Sequence, residues 1–268
     1  MMKAHEIDFQ LYGDDMQFVE IELDEGESAL AEAGAMMYMD KKIGMETIFG
    51  DGSGKSHGKG FMGKLLGAGK RVITGEGLFM TVFTNTHGGK AKVAFAAPYP
   101  GKIVPFNLSE FDNQIICQKD AFLCAAKGVS ISIHLQKKMS GFFGGEGFIM
   151  QKLDGDGLAF LHAGGTIIRK KIMAGESLRI DTGCLVAMSS GIDYDVQFAG
   201  DIKSAMFGGE GLFFATLRGQ GSVWLQSLPI SRMANRIASA SNSNKGESKG
   251  ASNPLEELSG LTNLFGRD

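Results

Sequence analysis

The feature that most constrains the fold is an internal repeat marked by the tripeptide Gly-Glu-Gly. Residues 143–161 (FGGEGFIMQKLDGDGLAFL) and residues 207–225 (FGGEGLFFATLRGQGSVWL) align without a gap, 64 residues apart. A third copy begins at Gly75 with GEGLFMTVFTNTHGGKAKVAF, where the turn around His87 is longer. A unit of this size buries little apolar surface alone, so we expect the copies to share one core.

A second signature precedes each of these segments. Residues 25–39 (EGESALAEAGAMMYM) and residues 174–188 (AGESLRIDTGCLVAM) share Gly-Glu-Ser and a later glycine. The middle copy at 115–129 keeps the apolar rhythm, but Asp120 stands where the other copies have that glycine. Each unit is therefore expected to contain a short strand, a turn, an apolar strand and a glycine-rich hairpin.

The residues within each unit favour β-structure. The apolar runs after Gly-Glu-Gly are rich in β-formers, and the turn residues at 154–157 and 218–221 separate two such runs. The chain has 39 glycines and 5 prolines, which is typical of many tight turns. We predict an all-β protein of three tandem β-sandwich or double-stranded β-helix-like repeats in one body. The predicted repeats cover about 7–97, 103–168 and 172–228.

Composition narrows the function classes. A net charge of -3 argues against a dedicated nucleic-acid binder, which usually has a basic face. Three cysteines at irregular spacing form no disulfide framework and favour a reducing compartment. No signal peptide is visible, and no apolar run reaches the length of about 18 residues that a membrane-spanning helix needs. We therefore expect a cytoplasmic protein that contacts a membrane at most peripherally.

The first repeat contains a glycine-rich insertion at 40–71 that carries seven Lys or Arg residues. Apolar and basic side chains alternate along part of it, which suits contact with an anionic membrane or a protein partner. A solvated surface loop is the alternative. The candidate contact residues are Lys59, Phe61, Met62, Lys64, Leu65, Leu66, Lys70 and Arg71.

The same insertion contains a sequence that ends like a phosphate-binding loop, Gly-Lys-Ser at 54–56. Such a loop needs a glycine five positions before Gly54, and Phe49 occupies that position. The glycines that follow oppose the helix whose N-terminus would face the phosphates. We therefore interpret this sequence as a basic loop and predict no nucleotide site.

Other candidate chemistry is equally weak. The start of a calcium loop at 154–157 lacks the later ligands, so a hairpin turn is expected there. The five histidines show no zinc spacing, and no nucleophile motif occurs. Three glutamates recur at one repeat position, namely Glu76, Glu146 and Glu210. They would either surround an axis and bind a cation or, as we prefer, hold backbone donors in glycine turns. No catalytic residue, metal or cofactor is predicted.

The C-terminal segment at 231–268 differs in composition from the repeats. Residues 239–253 contain no apolar side chain larger than alanine, which indicates low complexity and disorder. A short amphipathic stretch follows at 254–265. We therefore place the folded body at 1–230 and predict that the rest is mostly disordered.

Several of these motifs together resemble a known family. The segments AGESLRIDTGCLVAMSSGIDYDVQ at 174–197 and PGKIVPFNL at 100–108, with the repeated GGEG hairpins, are similar to the altered-inheritance-of-mitochondria family of mitochondrial biogenesis proteins. The resemblance covers residues 1 to about 230. It implies a fold similar to that of the trp RNA-binding attenuation protein and assembly into trimers or larger rings. It implies no enzyme activity.

We therefore expect a non-enzymatic scaffold or interaction protein that forms a homo-oligomer and contacts either a protein partner or an anionic membrane. The alternatives are a ring that binds a small ligand or RNA, and an enzyme of unknown type. RNA binding is disfavoured because the repeats share no Lys or Arg at equivalent hairpin positions.

Overall fold

The computed structural model describes residues 3–32, 34–49, 79–134, 148–198 and 213–243. Nearly all of the regular structure in these ranges is β-strand, so the all-β prediction is confirmed. Two compact units are present, Met1–Ile230 and Ser231–Asp268, and each is described by itself.

The strands of the first unit, in chain order, are β1 (Asp8–Tyr12), β2 (Phe18–Leu23), β3 (Ser28–Glu32), β4 (Met36–Met39), β5 (Ile43–Phe49), β6 (Phe79–Asn85), β7 (Ala91–Ala96), β8 (Gly101–Asn107), β9 (Gln114–Gln118), β10 (Phe122–Ala126), β11 (Ser130–His134), β12 (Met150–Asp154), β13 (Leu158–Gly164), β14 (Ile167–Ile172), β15 (Ser177–Asp181), β16 (Leu185–Ser189), β17 (Ile192–Phe198), β18 (Phe213–Gly219) and β19 (Gly221–Gln226).

Antiparallel pairing joins these strands into four sheets. The first sheet has the order β1-β2-β7-β4, the second β5-β6-β3-β10-β13-β8, the third β11-β12-β9-β16-β19-β14 and the fourth β15-β18-β17. Phe95 of the first sheet packs on Phe83 of the second, with ring centroids 5.1 Å apart, and Phe106 of the second packs on Trp224 of the third at 4.8 Å. A second apolar cluster around Leu217 joins the third sheet to the fourth.

Side-chain alternation explains how each strand contributes to these layers. Along β2, Val19, Ile21 and Leu23 are fully buried, whereas Glu20 and Glu22 project from the opposite face. This is the period of two that a strand imposes on its side chains. The layers therefore bury one face of an outer sheet and both faces of an inner sheet.

The same pairings occur in three successive segments at 18–96, 101–164 and 167–226. In each segment the sixth strand pairs with the first and the third, and the fifth pairs with the second and the fourth. In every segment the register of the third strand shifts at one residue. This residue lies between Met36 and Tyr38, between Phe122 and Cys124, and between Leu185 and Ala187. The double-stranded β-helix detail of each segment stays a prediction.

Two junctions connect the segments, and both join the second strand of one to the third strand of the next. At the first junction β3 pairs with β10, and at the second β9 pairs with β16. Ala31 lies opposite Cys124 in the first, and Cys117 lies opposite Ala187 in the second; all four are fully buried. Strand β4 is the third strand of the first segment, and β15 is the second strand of the last segment. Within the described ranges, each of these two strands is paired on one side only.

The turn at 155–157 connects β12 to β13, as the sequence predicted. Its carboxylates are already used by protein groups. Asp154 accepts hydrogen bonds from Gln114 at 2.6 Å and from Lys152 at 2.8 Å, and Asp156 accepts one from the Ala4 amide at 2.8 Å. The turn thus anchors the N-terminal segment to the junction between the first two segments.

A helix, α1 (Ile230–Ser243), begins at the last residue of the first unit. It lies at the start of the stretch that the sequence predicts to be of low complexity; the remainder of that stretch falls outside the described residues. Among the described residues, no helix has the length and apolar character that crossing a bilayer requires.

The first junction contains a carboxyl group that the second lacks. Glu32, half-buried at the end of β3, lies opposite Met80, and the corresponding residue of β9 is the neutral Gln118 opposite Met150. Burial raises the pKa of Glu32 to about 7, with the positive charge of Lys119 opposing the shift. Folding therefore favours the protonated form of this carboxyl group.

We predict that Glu32→Gln raises the free energy of unfolding at pH 8 by about 2 kcal/mol and has little effect near pH 5. A carboxyl whose pKa is raised on folding contributes stability below its unfolded pKa of 4.5 and loses it as pH rises through about 7. Urea denaturation at both pH values measures the difference. Glu46→Gln, at an exposed position, is the control, and an equal gain at both pH values would contradict the prediction.

Candidate interaction surface on the first sheet

The outer face of the first sheet carries aromatic and charged side chains in place of a covering layer. Register places Glu20 of β2 beside Ala94 of β7, and Tyr38 of β4 on the other side of Ala94. Tyr12 of β1 lies opposite Phe18 on the same face. The sheet pleat therefore brings residues from four strands onto one surface.

Three aromatic rings pack together on this face. The rings of Tyr12 and Phe18 stack with centroids 4.9 Å apart and planes 11° apart. Tyr38 approaches Phe18 edge-on, at 6.3 Å between centroids. Such pairs contribute roughly 0.5–1.5 kcal/mol beyond their buried area, so the three rings hold one another in fixed positions.

Glu20 is the polar centre of the surface and is 9% exposed. Its carboxylate accepts hydrogen bonds from Lys92 at 2.7 Å, from the Tyr12 hydroxyl at 3.5 Å and from the Tyr38 hydroxyl. The hydrogen bonds from Lys92 and Tyr38 lower the pKa of Glu20. The hydrogen bond that Tyr38 donates to Glu20 also raises the pKa of Tyr38 to about 12. At neutral pH the carboxylate is charged and the phenol is neutral, so this group is unsuited to proton transfer.

Strand β4 borders this face and is an exposed, apolar edge strand. Its sequence is Met-Met-Tyr-Met, and Met37, Tyr38 and Met39 are 54%, 39% and 36% exposed. Edge strands normally carry charges or proline, which prevent pairing with other chains. Strand β8 has Pro105 and β14 has Arg-Lys-Lys, but β4 has no such residue.

At the opposite end of the first unit an edge strand is the second strand of its segment, the kind with which third strands pair at the internal junctions. One edge strand of the fourth sheet is β15, whose Arg179 is exposed and lies over the Phe214 ring at 4.5 Å. Beside it, β14 exposes Ile168, which is 47% exposed, and Lys170 on the face that points toward the fourth sheet. One end of the layered body therefore carries the Glu20 carboxylate, bonded to Lys92, and the other carries the exposed Lys170.

Elsewhere His162 is the most unusual titratable group. It is 2% exposed, and neither ring nitrogen has a hydrogen-bond partner. Gln226 holds the corresponding place in the third segment, where it accepts from the Gly164 amide and donates to the Gly183 carbonyl, each at 2.8 Å. In the second segment, the residue equivalent to Gly164 is Pro100. Proline has no N–H, so it donates no hydrogen bond to His162.

Burial lowers the pKa of His162 to about 4, with the backbone of Tyr99 opposing the shift. The Tyr99 ring meets the imidazole edge-on at 4.3 Å between centroids, and the backbone at Gly101 also lies against it. His162 is therefore a neutral core residue, and the Tyr99 backbone approaches its ring without making a hydrogen bond of normal geometry.

We predict that His162→Phe raises the free energy of unfolding by about 1 kcal/mol at pH 7, because it removes unsatisfied buried nitrogens. The advantage should increase as pH falls from 6.5 to 4. A histidine with a lowered pKa keeps its full contribution above 6.5 and loses it as pH falls through about 4. Denaturation at pH 7 and pH 5 measures both effects, and destabilisation at both would show that the imidazole has a partner.

The structure does not describe the residues that the sequence singled out. Glu76, Glu146 and Glu210 lie outside the described residues. So do all the candidate contact residues of the basic insertion, namely Lys59, Phe61, Met62, Lys64, Leu65, Leu66, Lys70 and Arg71. Both hypotheses therefore remain predictions.

The remaining chemistry-bearing groups suggest no reactive centre. No disulfide joins Cys117, Cys124 and Cys184, and burial raises the pKa of the Cys117 and Cys124 thiols. Among the described residues no group of three or more His, Cys, Asp or Glu is arranged to hold a metal ion.

Sequence reasoning missed the interaction surface. The available signal was the run Met36–Met39, where three methionines flank a tyrosine without the polar alternation of a half-buried strand. The Glu20 network has no local signal, because its partners lie on three other strands.

Comparison with known proteins agrees with the resemblance seen in the sequence. The profile of a family described as mitochondrial biogenesis AIM24 matches residues 9–228. An uncharacterised protein of Streptococcus pyogenes serotype M6 is 32% identical over 228 residues, covering 83% of this chain and 86% of its own. A crystal structure of another Streptococcus pyogenes protein superposes with a TM-score of 0.68 at 26% identity, covering 87% of this chain and 99% of that one.

Proposed function

The chain belongs to the mitochondrial biogenesis AIM24 family, and we propose that it is a non-enzymatic interaction protein that assembles into homo-oligomers. Its relative in Streptococcus pyogenes is uncharacterised, so the function is inferred from the surface of this chain. The working parts are the open edge and outer face of the first sheet. The single observation that carries the proposal is the exposed apolar edge at β4.

The residue at the register shift of each third strand supports the proposal. At the two internal junctions this residue is Leu123, 3% exposed, and Val186, fully buried. At the open edge the corresponding residue is Met37, which is 54% exposed. A third pairing at β4 would give Met37 the environment that its two counterparts already have.

The protonation states of the surface support binding in preference to catalysis. Glu20 is held charged by Lys92 and Tyr38, and the buried thiols of Cys117 and Cys124 are held protonated. A catalytic acid or base needs a pKa near the working pH, and a nucleophilic cysteine needs a lowered one.

A cytoplasmic location and peripheral contact with an anionic membrane belong to the same proposal. The membrane contact is supported by the alternating apolar and basic residues at 59–71, and the location by three cysteines at irregular spacing. A ring that binds a small ligand or RNA is the alternative, and a mass in excess of the bare chains would favour it.

We predict that the protein is oligomeric at micromolar concentration and that Met37→Lys weakens the assembly by roughly tenfold or more. Burying an unpaired ammonium costs well above the ~1.4 kcal/mol that corresponds to tenfold. Native mass spectrometry and sedimentation velocity measure the change. The control is Met45→Lys, at a methionine of similar exposure (51%) on β5.

A wild-type protein that stays monomeric at every concentration would overturn the proposal. Equal weakening by Met37→Lys and Met45→Lys would show that β4 is not the edge that carries the assembly.

A further inference from the structure

We infer that the occupant of the β4 edge is β15 of a second copy, paired antiparallel with Met39 of one chain opposite Arg179 of the other. This inference rests on the proposed homo-oligomer and specifies its contact. It is argued from the two internal junctions, which repeat one arrangement, and from the two strands that the repetition leaves open.

The two internal junctions pair equivalent residues, so they have the same register. The pairs at the first are Cys124–Ala31, Ala125–Leu30 and Ala126–Ala29. The pairs at the second are Ala187–Cys117, Met188–Ile116 and Ser189–Ile115. Alignment against the fifth and sixth strands makes these the same positions in both cases.

The same alignment assigns a partner to each residue of the open strands. In β4, Tyr38 corresponds to Cys124 and Ala187, because all three lie at the first pair after the register shift. In β15, Ile180 corresponds to Ala31 and Cys117. The junction register transferred to two copies is therefore Tyr38–Ile180, Met39–Arg179 and Asp40–Leu178.

Pairing of these edges also brings a face of each copy into contact. Inside the chain, Trp224 of the third sheet packs on Phe106 of the second. The corresponding residue to Trp224 in the first sheet is Ala94, and that to Phe106 in the third sheet is Lys170. The first sheet of one copy would thus cover β14 of the other.

The charges at this contact are complementary. Ala94 leaves room for the aliphatic part of Lys170, and Glu20 lies directly beside Ala94. The Lys170 ammonium would therefore reach a carboxylate that is kept ionised by Lys92. Ile168, on the same face of β14, would lose its exposure to water.

The resulting interface is heterologous, because β4 and β15 are different surfaces of one chain. Each copy uses one edge for each neighbour, so assembly leads to a closed ring or to a filament. A two-fold dimer made by β4 pairing with β4 is inconsistent with this arrangement.

Interchain disulfide trapping tests the register. Chains carrying Met39→Cys are mixed with chains carrying Arg179→Cys, both in a Cys184→Ser background, and oxidised mildly. Paired residues of an antiparallel ladder have Cα atoms about 4.5–5.5 Å apart, which a disulfide can span. We expect covalent dimers from the mixture and none from either variant alone.

The matched control is Tyr38→Cys mixed with Arg179→Cys. Tyr38 is one residue away from the inferred partner of Arg179, so the two side chains lie on opposite faces of the sheet. Equal trapping by both mixtures, or a dimer from Met39→Cys alone, would overturn the inferred register.

A charge reversal on β14 tests the face contact. Lys170→Glu is expected to weaken assembly roughly tenfold, because it replaces the ammonium that approaches Glu20 with a second carboxylate. Lys171→Glu makes the same change one residue along the strand and on its other face, and should have little effect. Equal effects would contradict the contact with Glu20.

The outcomes also separate this inference from the proposal on which it rests. An oligomer that forms normally but gives no Met39–Arg179 disulfide leaves the proposed function intact and refutes the pairing. A wild-type chain that never associates refutes both.

Discussion

The main-chain ladder between the second strand of one segment and the third strand of the next is the interaction on which the structure depends. Backbone N–H and C=O groups must be paired when they leave water, and each junction does this by fusing two three-stranded half-sheets into one sheet of six strands. Because each fused sheet belongs to two segments, neighbouring segments cannot separate without breaking a ladder. The same rule is the basis for proposing that the strands β4 and β15 at the two ends pair between copies.

The side chains at the junctions differ from those at the open ends in ways that suit these roles. The internal junctions pair small or apolar residues, such as Ala31 with Cys124, in complete burial. The open ends carry Tyr38, bonded to Glu20, and Arg179, stacked on Phe214. These larger and charged groups allow the edges to be hydrated in a free chain, so the proposed pairing between copies would be reversible, unlike the two internal ones.

Much of the strand content could be predicted from the sequence, because alternation and glycine turns are local signals. The Gly-Glu-Ser signature correctly puts Ser28 and Ser177 at the same position of their ladders. The strand order could not be predicted, since pairing between segments leaves no mark within a single strand. The unsatisfied nitrogens of His162 depend on Pro100, which is 62 residues distant in the chain, and no pattern around either residue reveals the mismatch.

Amide hydrogen exchange of the wild-type protein at high and low concentration tests the central claim most directly. Strands β10 and β16 are paired on both sides within the chain, so their amides should exchange slowly at both concentrations. If β4 and β15 pair between copies, their amides should be protected in the concentrated sample and should exchange rapidly after dilution. Rapid exchange of β4 and β15 in the concentrated, assembled protein would contradict the account.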